Sequence, residues 1–495
     1  MSGANGIEHP VELWRRRIGL VLAPLVFVAL WSAPLALPLP AHRLAAILGA
    51  VVVLWMSEAV PMTMTALLGV SLAVLLGVAP AAQAFAPFAD PIMFLFIGSF
   101  ILARAIFFHG LDRRFALALL TLPGVGPRPG RVLAALAVAT FGLSMWISNT
   151  ATVAMMLPIG LSLLHVLEAE RPAPAFAAAL LFSISLASSF GGLGTPVGTA
   201  PNLIGIGLIR REAGVDIPFF GWMTIGAPAG VAMLAIALTC FTRRGERLPP
   251  DAELEDELRA ERRALGRWTR GQRNTALAFA VTVALWVTPG VVALAWGTGH
   301  PVYRTLQETV PESVAALLGA SLLFILPVDL RRMEFTLPWD EAVQIDWWIV
   351  ILYGGGIALG TLAFQTGLAE AMGRGLTNLL GVRGSFPLLC FSTALAALLS
   401  ETTSNTASAN MAVPVVIAVA RAADVDPVLP ALGATMGASL GFMLPVSTPC
   451  NALVYATGRI PLTTMIRYGI ALDVVGVAVV VTLLWLLGPA MLGTR

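Results

Sequence analysis

The sequence is poor in charge. Of its 495 residues only 12% are charged, and none is lysine, so all 30 basic residues are arginine. The formal net charge of +2 is too small for the basic surface that nucleic-acid binding requires. Cysteine is also scarce, and Cys240, Cys390 and Cys450 each lie in or beside an apolar segment without metal-ligand spacing. These absences argue against a nucleic-acid partner, a disulfide framework and a cysteine metal site.

Polar stretches long enough to form a soluble domain are missing. The chain is 57% hydrophobic and its mean hydropathy is +0.84, well above the values of soluble globular proteins. Apolar runs of about 20 residues, enough to cross the hydrocarbon core, recur along nearly the whole chain. The one long polar stretch, 243–273, carries nine arginines, and we expect a solvated cytoplasmic linker helix there. The sequence therefore predicts an all-α polytopic membrane protein.

One motif occurs twice within apolar sequence. Ser148-Asn149-Thr150 is followed by Pro158, and Ser404-Asn405-Thr406 is followed at the same distance by Pro414. Short polar side chains compete with helical hydrogen bonds and proline removes a donor, so both segments should hold broken helices. In hydrocarbon, unpaired backbone is tolerated only where it is buried in protein or lines a cavity. A substrate or ion site explains the repetition better than packing between membrane helices does.

Further matches indicate an internal duplication. Four pairs of segments occur in the same order, displaced by roughly 250 residues. Besides the Ser-Asn-Thr motifs they are Val60-Pro61 with Val310-Pro311, Asp90 and Gly98 with Asp346 and Gly354, and Pro196-Val197-Gly198-Thr199 before Asn202 with Pro445-Val446-Ser447-Thr448 before Asn451. The glycine and proline density around 191–202 predicts a second helix break in the first copy.

The duplication sets the domain organisation. We expect an N-terminal segment with the first transmembrane helix at 1–42, a first repeat at 43–241, the linker at 242–273 and a second repeat at 274–495. A signal peptide is the alternative interpretation of the first apolar run. If the region 131–166 is a re-entrant hairpin, the first repeat crosses the membrane five times and the second begins on the opposite side. Inverted repeats with discontinuous helices are typical of secondary transporters, which bind substrate near the midplane.

The motif chemistry suits ions. Hydroxyl and amide oxygens, with carbonyls freed at the breaks, are suitable ligands for Na⁺, whereas helix N-termini and amide hydrogens suit an oxyanion. No arginine or lysine lies in the four elements, so bound Na⁺ is expected to neutralise a dianion and to bind before it.

Other titratable residues give weaker signals. Glu401, near the second motif, is either an ion ligand or a structural residue at the hairpin edge. Glu58, Asp90 and Asp346 lie at span ends, where capping or an interfacial role is expected, and Asp473 within the last span has no assigned role. No His-x-x-x-His pattern and no pair of acids lies near the motifs, which argues against an intramembrane enzyme. Two gated half-sites also suit alternating access better than a channel.

The chain resembles the divalent anion/sodium symporter family, the dicarboxylate and citrate carriers typified by the bacterial INDY-type transporters. The resemblance rests on both Ser-Asn-Thr motifs, both Pro-Val-x-Thr-x-x-Asn breaks and the inverted halves, and it covers nearly the whole chain. It implies about eleven transmembrane helices plus two re-entrant hairpins, a scaffold and a transport domain, a homodimer and elevator-type alternating access. It further implies sodium-coupled symport of a C4-dicarboxylate such as succinate, malate or fumarate in a bacterial inner membrane.

The resemblance also implies which residues form the site. Na⁺, as a co-transported ion and with no organic cofactor, would bind at Ser144, Ser148, Asn149 and Gly198 in the first half, and at Ser400, Ser404, Asn405 and Ser447 in the second. The dicarboxylate would contact Asn149, Thr150, Thr199, Asn405, Thr406 and Thr448. The family often has threonine or alanine where Ser400 and Ser447 stand. A sodium-independent exchanger of dicarboxylates or other divalent anions remains the alternative, and the lack of a large soluble insert favours a carboxylate over sulfate.

Overall fold

A computed structural model describes residues 10–123, 125, 128–168, 172–244, 252–381 and 384–491. Several residues used in the sequence analysis lie outside this part of the chain. They are the first nine residues of the N-terminal segment, the start of the linker at 245–251, and the last four residues of the second repeat.

The chain begins with six helices and a 3-10 turn. They are α1 (Pro10–Ser32), α2 (Leu39–Ser57), α3 (Met62–Leu75), α4 (Ala81–Phe85), α5 (Pro91–Phe108) and α6 (Leu111–Leu120), with the 3-10 turn at Ala86–Ala89. The carboxylate of Asp90 accepts a 2.9 Å hydrogen bond from the Ile92 amide and so caps α5, as predicted. Glu58 ends α2 in the left-handed conformation and pairs with Arg15 at 3.2 Å.

The next five helices contain the first hairpin and the first break. They are α7 (Pro129–Ser144), α8 (Asn149–Glu168), α9 (Pro174–Leu193), α10 (Ala200–Leu208) and α11 (Phe219–Arg244), with a π-helical turn at Ile209–Ala213. A Cβ on Gly160 of α8 would lie 3.7 Å from the side chain of Leu136 in α7, so the chain folds back at 145–148. The predicted hairpin is confirmed, and the predicted break near 191–202 separates α9 from α10.

The remaining helices are the linker helix and those of the second half, which repeat the order of the first half. They are α12 (Ala252–Ala264), α13 (Arg270–Trp296), α14 (Pro301–Thr309), α15 (Glu312–Ile325), α16 (Trp339–Ala342), α17 (Trp347–Gln365), α18 (Leu368–Leu380), α19 (Ser385–Thr402), α20 (Asn405–Ala422), α21 (Val428–Gly437), α22 (Pro449–Tyr455) and α23 (Leu462–Met491). Leu388 of α19 and Val419 of α20 share one apolar cluster, although each lies about 15 residues from the turn that joins the two helices. A second hairpin therefore faces the first.

The two halves are intertwined through matching contacts. Helices α3 and α15 are both 14 residues long, and each follows a proline. A Cβ on Gly98 of α5 would lie 2.7 Å from Cβ of Ala316 in α15, and a Cβ on Gly355 of α17 would lie 2.6 Å from Cβ of Ala66 in α3. Each half thus packs its glycine-bearing helix against the short helix of the other half, because glycine permits the close approach.

The fold is that of a multi-pass membrane protein. Within the described residues nine helices are long and apolar enough to span a membrane, and ten when the bent pair α14 and α15 counts as one span. Two of the nine, α8 and α19, are hairpin arms. Starting from the ten, we leave out these two arms and add α1, the short α3 and the interrupted pair α21–α22. This gives the predicted eleven spans.

Both motif segments are broken as predicted, and two details of the local structure were not anticipated. Pro158 and Pro414 do not mark the breaks, because α8 and α20 continue through them, and each helix instead begins directly after the serine of its motif. The capping serine therefore determines the break, while the lost proline hydrogen bond is accommodated inside a packed helix. The chain is also not entirely helical, since the strands β1 (Pro327–Asp329) and β2 (Glu334–Phe335) form a small antiparallel hairpin.

Candidate functional site

The first hairpin tip is organised by the side chains of its motif. The Ser148 hydroxyl accepts a 3.4 Å hydrogen bond from the Ala151 amide and caps the start of α8. Buried Ser144, at the end of α7, donates a 2.8 Å hydrogen bond to Oδ1 of Asn149. The tip thus places a hydroxyl and an amide oxygen side by side.

The second tip repeats this geometry. The Ser404 hydroxyl accepts a 3.2 Å hydrogen bond from the Ala407 amide, with its backbone in the extended region expected of a capping residue. Ser400 is fully buried and donates a 2.8 Å hydrogen bond to Oδ1 of Asn405. Two tips far apart in sequence therefore present the same pair of oxygen groups.

Two asparagines hold the helix breaks open. The Asn202 side-chain amide donates to the Gly192 and Thr195 carbonyls, both at 2.8 Å. The Asn451 side-chain amide donates to the Gly441 and Leu444 carbonyls at 3.1 and 3.0 Å. Each asparagine bridges its break, so the irregular backbone keeps a fixed shape without continuous helical hydrogen bonds.

Glycines allow each tip to reach its break. A Cβ on Gly192 would lie 2.4 Å from Oδ1 of Asn149, and a Cβ on Gly441 would lie 3.0 Å from Oγ of Ser400. A side chain at Gly192 would therefore displace the asparagine of the first motif. The tip and the break of each half form one compact unit.

Both units open onto one cavity of about 520 Å³. Ten of the twelve predicted site residues line it. They are Ser148, Asn149, Thr150, Gly198 and Thr199 from the first half, and Ser404, Asn405, Thr406, Ser447 and Thr448 from the second. The other two, Ser144 and Ser400, are buried behind the asparagines to which they donate. The structure brings the whole predicted set together at one place.

A further part of the cavity wall was not anticipated. Glu58, Met62 and Phe100 line it from the first half, and Trp348 and Ile349 from the start of α17. No sequence signal pointed to them, because single residues at span ends carry no periodicity. The nearest hint was the placement of Glu58 at a span end, where a capping or interfacial role was expected.

The cavity attracts anions through backbone rather than through basic side chains. No described lining residue is basic. Helices α8, α10 and α20 all begin at the cavity, at Asn149, Ala200 and Asn405, so their N-termini direct partial positive charge and unpaired amide groups into it. This arrangement suits a carboxylate, while the hydroxyl and amide oxygens of the tips suit a hard cation.

Glu401 joins the second tip to the second break. One of its carboxylate oxygens accepts a 2.9 Å hydrogen bond from the Met443 amide, and the other accepts a 2.7 Å hydrogen bond from the Ser447 hydroxyl. Only 2% of the residue is exposed. Of the two roles considered for Glu401, the structural one is therefore observed directly.

A larger cleft lies away from the motifs. It encloses about 750 Å³ between α2, α17, α18 and α20 and is lined almost entirely by apolar side chains, with Asn410 as an exception. An apolar cleft of this kind cannot replace the hydration of a dianion. The cavity at the motifs is therefore the candidate site.

Comparison with known proteins identifies the family. The sequence matches the family described as "Sodium:sulfate symporter transmembrane region" over residues 11–492. The chain belongs to the sodium:sulfate symporter family. The resemblance drawn from the motifs is thereby confirmed, and this membership makes the protein a multi-pass membrane transporter rather than an enzyme.

Named relatives match over most of their length. A protein of Staphylococcus saprophyticus named sodium-dependent dicarboxylate transporter SdcS is 32% identical over 96% of this chain and 92% of its own length. The protein of the same name from Staphylococcus aureus strain USA300 is 30% identical over the same shares.

Solved structures share the fold. The YdaH transporter of Alcanivorax borkumensis superposes with a TM-score of 0.55 at 15% identity, covering 96% of this chain and 97% of that one. MtrF of Neisseria gonorrhoeae superposes with a TM-score of 0.53 at 14% identity, covering 97% and 96%. These likenesses support the architecture alone.

Proposed function

We propose that the protein is a sodium-coupled symporter of C4-dicarboxylates, such as succinate, malate and fumarate, in a bacterial inner membrane. The observation that carries the proposal is the convergence of both Ser-Asn-Thr tips and both helix breaks on one cavity. The chain that builds this cavity is 30–32% identical, over nearly its whole length, to sodium-dependent dicarboxylate transporters.

The sodium ions bind at the two tip-and-break units. The first unit supplies oxygens from Ser144, Ser148, Asn149 and Gly198. The second unit supplies them from Ser400, Ser404, Asn405 and Ser447. The hydrogen bonds from Ser144 and Ser400 hold the asparagine oxygens in place before the ion arrives. Glycine at 198 contributes its backbone carbonyl, whereas Ser447 can add a hydroxyl oxygen, so the two sites are chemically unequal.

The dicarboxylate binds between the two units. One carboxylate contacts Asn149, Thr150 and Thr199, and the other contacts Asn405, Thr406 and Thr448. Helix N-termini and the bound cations together offset the two negative charges, since no basic side chain is available in the lining. Cations therefore bind first and the substrate follows.

Alternating access proceeds by an elevator movement in a homodimer. The transport domain comprises the hairpins and the interrupted spans, and the scaffold comprises α2, α3, α5, α13, α15 and α17. In support, every predicted site residue belongs to the hairpins or breaks, while the other wall of the cavity belongs to the scaffold. The repeat boundaries at 43–241 and 274–495 belong to the same proposal.

Sulfate is the second candidate substrate, because the description of the matching family names it. A C4-dicarboxylate differs from sulfate in having two separated carboxylates, and the cavity is lined by donors from both halves of the chain. The donors of each half can hold one end of an extended dianion, which favours the dicarboxylate.

Uptake of labelled succinate into proteoliposomes tests the proposal. Three conditions are compared: an inward Na⁺ gradient, K⁺ alone, and K⁺ with succinate preloaded inside. Uptake that requires Na⁺ and no preload supports symport. Uptake that requires only preload would establish a sodium-independent exchanger and remove the sodium assignments. Competition by excess sulfate, malate and fumarate in the Na⁺ condition then ranks the substrates, and inhibition by sulfate alone would contradict the dicarboxylate assignment.

A further inference from the structure

A second buried acid lies next to Glu401 in the last span. Asp473 of α23 is 9% exposed, and neither of its carboxylate oxygens has a hydrogen-bond partner in the described structure. Its neighbour is the carboxylate of Glu401. No arginine forms an ion pair with either acid among the described residues. Two adjacent carboxyl groups in a membrane interior require either a shared proton or a bound cation.

The packing of α23 explains why the two acids meet. A Cβ on Gly469 would lie 2.4 Å from Cα of Met443 and 2.6 Å from the carbonyl carbon of Phe442, so α23 touches the second break at this point. Asp473 lies four residues further along and therefore on the same helix face. The Met443 amide is also the donor to Glu401. The helix, the break and the hairpin tip thus converge around the two carboxylates.

The first half builds the same junction without any acid. There Gly226 of α11 approaches the first break, since a Cβ on it would lie 2.2 Å from the Leu193 carbonyl oxygen. Gly230, four residues on, takes the place of Asp473. Met145, directly after Ser144, takes the place of Glu401, which directly follows Ser400. The fold forms this junction with methionine and glycine, so the acids of the second half are not needed for packing.

We propose that Glu401 and Asp473 form an additional sodium site, separate from the two sites at the motifs and present only in the second half. This inference rests on the proposed sodium coupling. Glu401 accepts hydrogen bonds from the Met443 amide and the Ser447 hydroxyl, and Asp473 supplies oxygens that have no hydrogen-bond partner in the described structure. An oxygen-rich environment is the one that hard cations prefer, and carbonyls of unwound membrane helices coordinate Na⁺ in transporters.

The site adds one coupled cation per transport cycle. A sodium ion bound there neutralises one charge of the acid pair and lies next to Ser447, which belongs to the second motif site. Sodium at the acid pair therefore supports the binding of the next ion through the Glu401–Ser447 hydrogen bond. The second half should consequently fill before the first.

The test is the number of sodium ions moved per succinate, measured from reversal potentials in proteoliposomes. The wild type is compared with Asp473→Asn, with Glu401→Gln as a second variant, and with Asp112→Asn as a control at a buried acid outside the spans. We expect Asp473→Asn to move one sodium ion fewer per succinate while uptake still requires Na⁺, and Asp112→Asn to match the wild type. An unchanged count in both acid-pair variants would overturn the inference and leave the proposed function intact.

Two further readouts separate the remaining outcomes. In purified protein without substrate, the slope of melting temperature against the logarithm of Na⁺ concentration should be smaller for Asp473→Asn than for the wild type, because fewer ions bind. If Asp473→Asn instead abolishes proton uptake into the vesicles and leaves the sodium count unchanged, the pair holds a proton and the sodium assignment is overturned. Wild-type uptake without Na⁺ would refute the proposed function itself.

Discussion

The hydroxyl of Ser400 donates a 2.8 Å hydrogen bond to Oδ1 of Asn405, and in the other half Ser144 makes the same bond to Asn149 at the same distance. Both serines are fully buried. Their oxygens retain lone pairs for a cation, while their hydrogens orient the asparagine. Preorganised ligands of this kind lower the entropy lost when an ion binds.

Ser144→Ala and Ser400→Ala are therefore expected to weaken sodium binding. Each removes one ligand and leaves a buried amide oxygen without its donor, a change that typically costs about 1–3 kcal/mol. The sodium concentration for half-maximal uptake should rise about tenfold, since 1.4 kcal/mol corresponds to a factor of about ten. Ser183→Ala is the matched control, because its buried hydroxyl bonds, among the described residues, the Leu180 carbonyl of its own helix. Equal sodium dependence in all three variants would remove these serines from the site.

Gly192→Ala is expected to abolish transport. The new methyl group would lie 2.4 Å from Oδ1 of Asn149, a distance that forces the asparagine out of position. Gly130→Ala is the control, since a Cβ there meets nothing within 4 Å. Initial rates of succinate uptake at equal protein content measure both variants. Normal uptake by Gly192→Ala would show that Asn149 need not stay where the structure places it.

The ion pair between Asp90 and Arg210 joins α5 to the end of the interrupted span. One guanidinium nitrogen donates to both carboxylate oxygens, at 2.7 and 2.9 Å, and the Tyr353 hydroxyl donates to the same carboxylate at 3.2 Å. In the elevator proposal this pair connects scaffold and transport domain. A double-mutant cycle of Asp90→Asn and Arg210→Gln should give a coupling energy of about 0.5–3 kcal/mol for unfolding in detergent.

The control cycle for that ion pair combines Asp90→Asn with Arg459→Gln. Arg459 pairs with Glu168 rather than with Asp90, at 2.7 Å. Its effect should therefore add to that of Asp90→Asn within about 0.5 kcal/mol. Additivity in the Asp90 and Arg210 cycle as well would mean that the ion pair does not stabilise the folded protein.

Asp112→Asn is expected to stabilise the protein at neutral pH. Burial raises the pKa of the Asp112 carboxyl, which lies in α6 outside the apolar spans, from 3.8 to about 6. The stability that the protonated acid contributes is present below pH 3.8 and is lost as the pH rises through 6. At pH 7.5 the variant should gain up to about 3 kcal/mol, at 1.36 kcal/mol per pKa unit.

Unfolding free energies between pH 4 and 8 check this prediction. The gain of Asp112→Asn over the wild type should grow as the pH rises through 6 and then level off. Asp340→Asn, at an exposed acid of α16, serves as the control and should show no such rise. A pH-independent difference for Asp112→Asn would mean that the carboxyl does not titrate in this range.

Local sequence patterns were enough to predict the hairpins and the helix breaks, whereas the individual ligand roles come from the family resemblance and stay predictions. A serine that caps a helix and a glycine that permits close approach act through neighbours in the chain, so Ser404 and the break around Gly192 could be recognised without a structure. Duplication then doubled each signal. The exact position of each break was not predicted, because the motif did not separate the effect of the serine from that of proline at 158 or 414.

Contacts between distant segments could not be predicted. Trp348 lines the cavity only because α17 packs against the first half, and Asp473 reaches Glu401 only because Gly469 lets α23 touch the second break. Neither relationship leaves a trace in periodicity or spacing. The correspondence between Glu401 and Met145 can be read from the aligned motifs, but the neighbouring position of Asp473 cannot.

The most direct test of the central claim is the binding of labelled succinate to purified protein in detergent, in Na⁺ and in K⁺. The wild type is measured beside Asn149→Ala and Asn405→Ala, with size-exclusion profiles to show that both variants remain folded. The account predicts saturable binding by the wild type in Na⁺ only, and loss of binding in both variants. Equal binding in K⁺, or wild-type binding by either variant, would contradict a single sodium-dependent site built from both motifs.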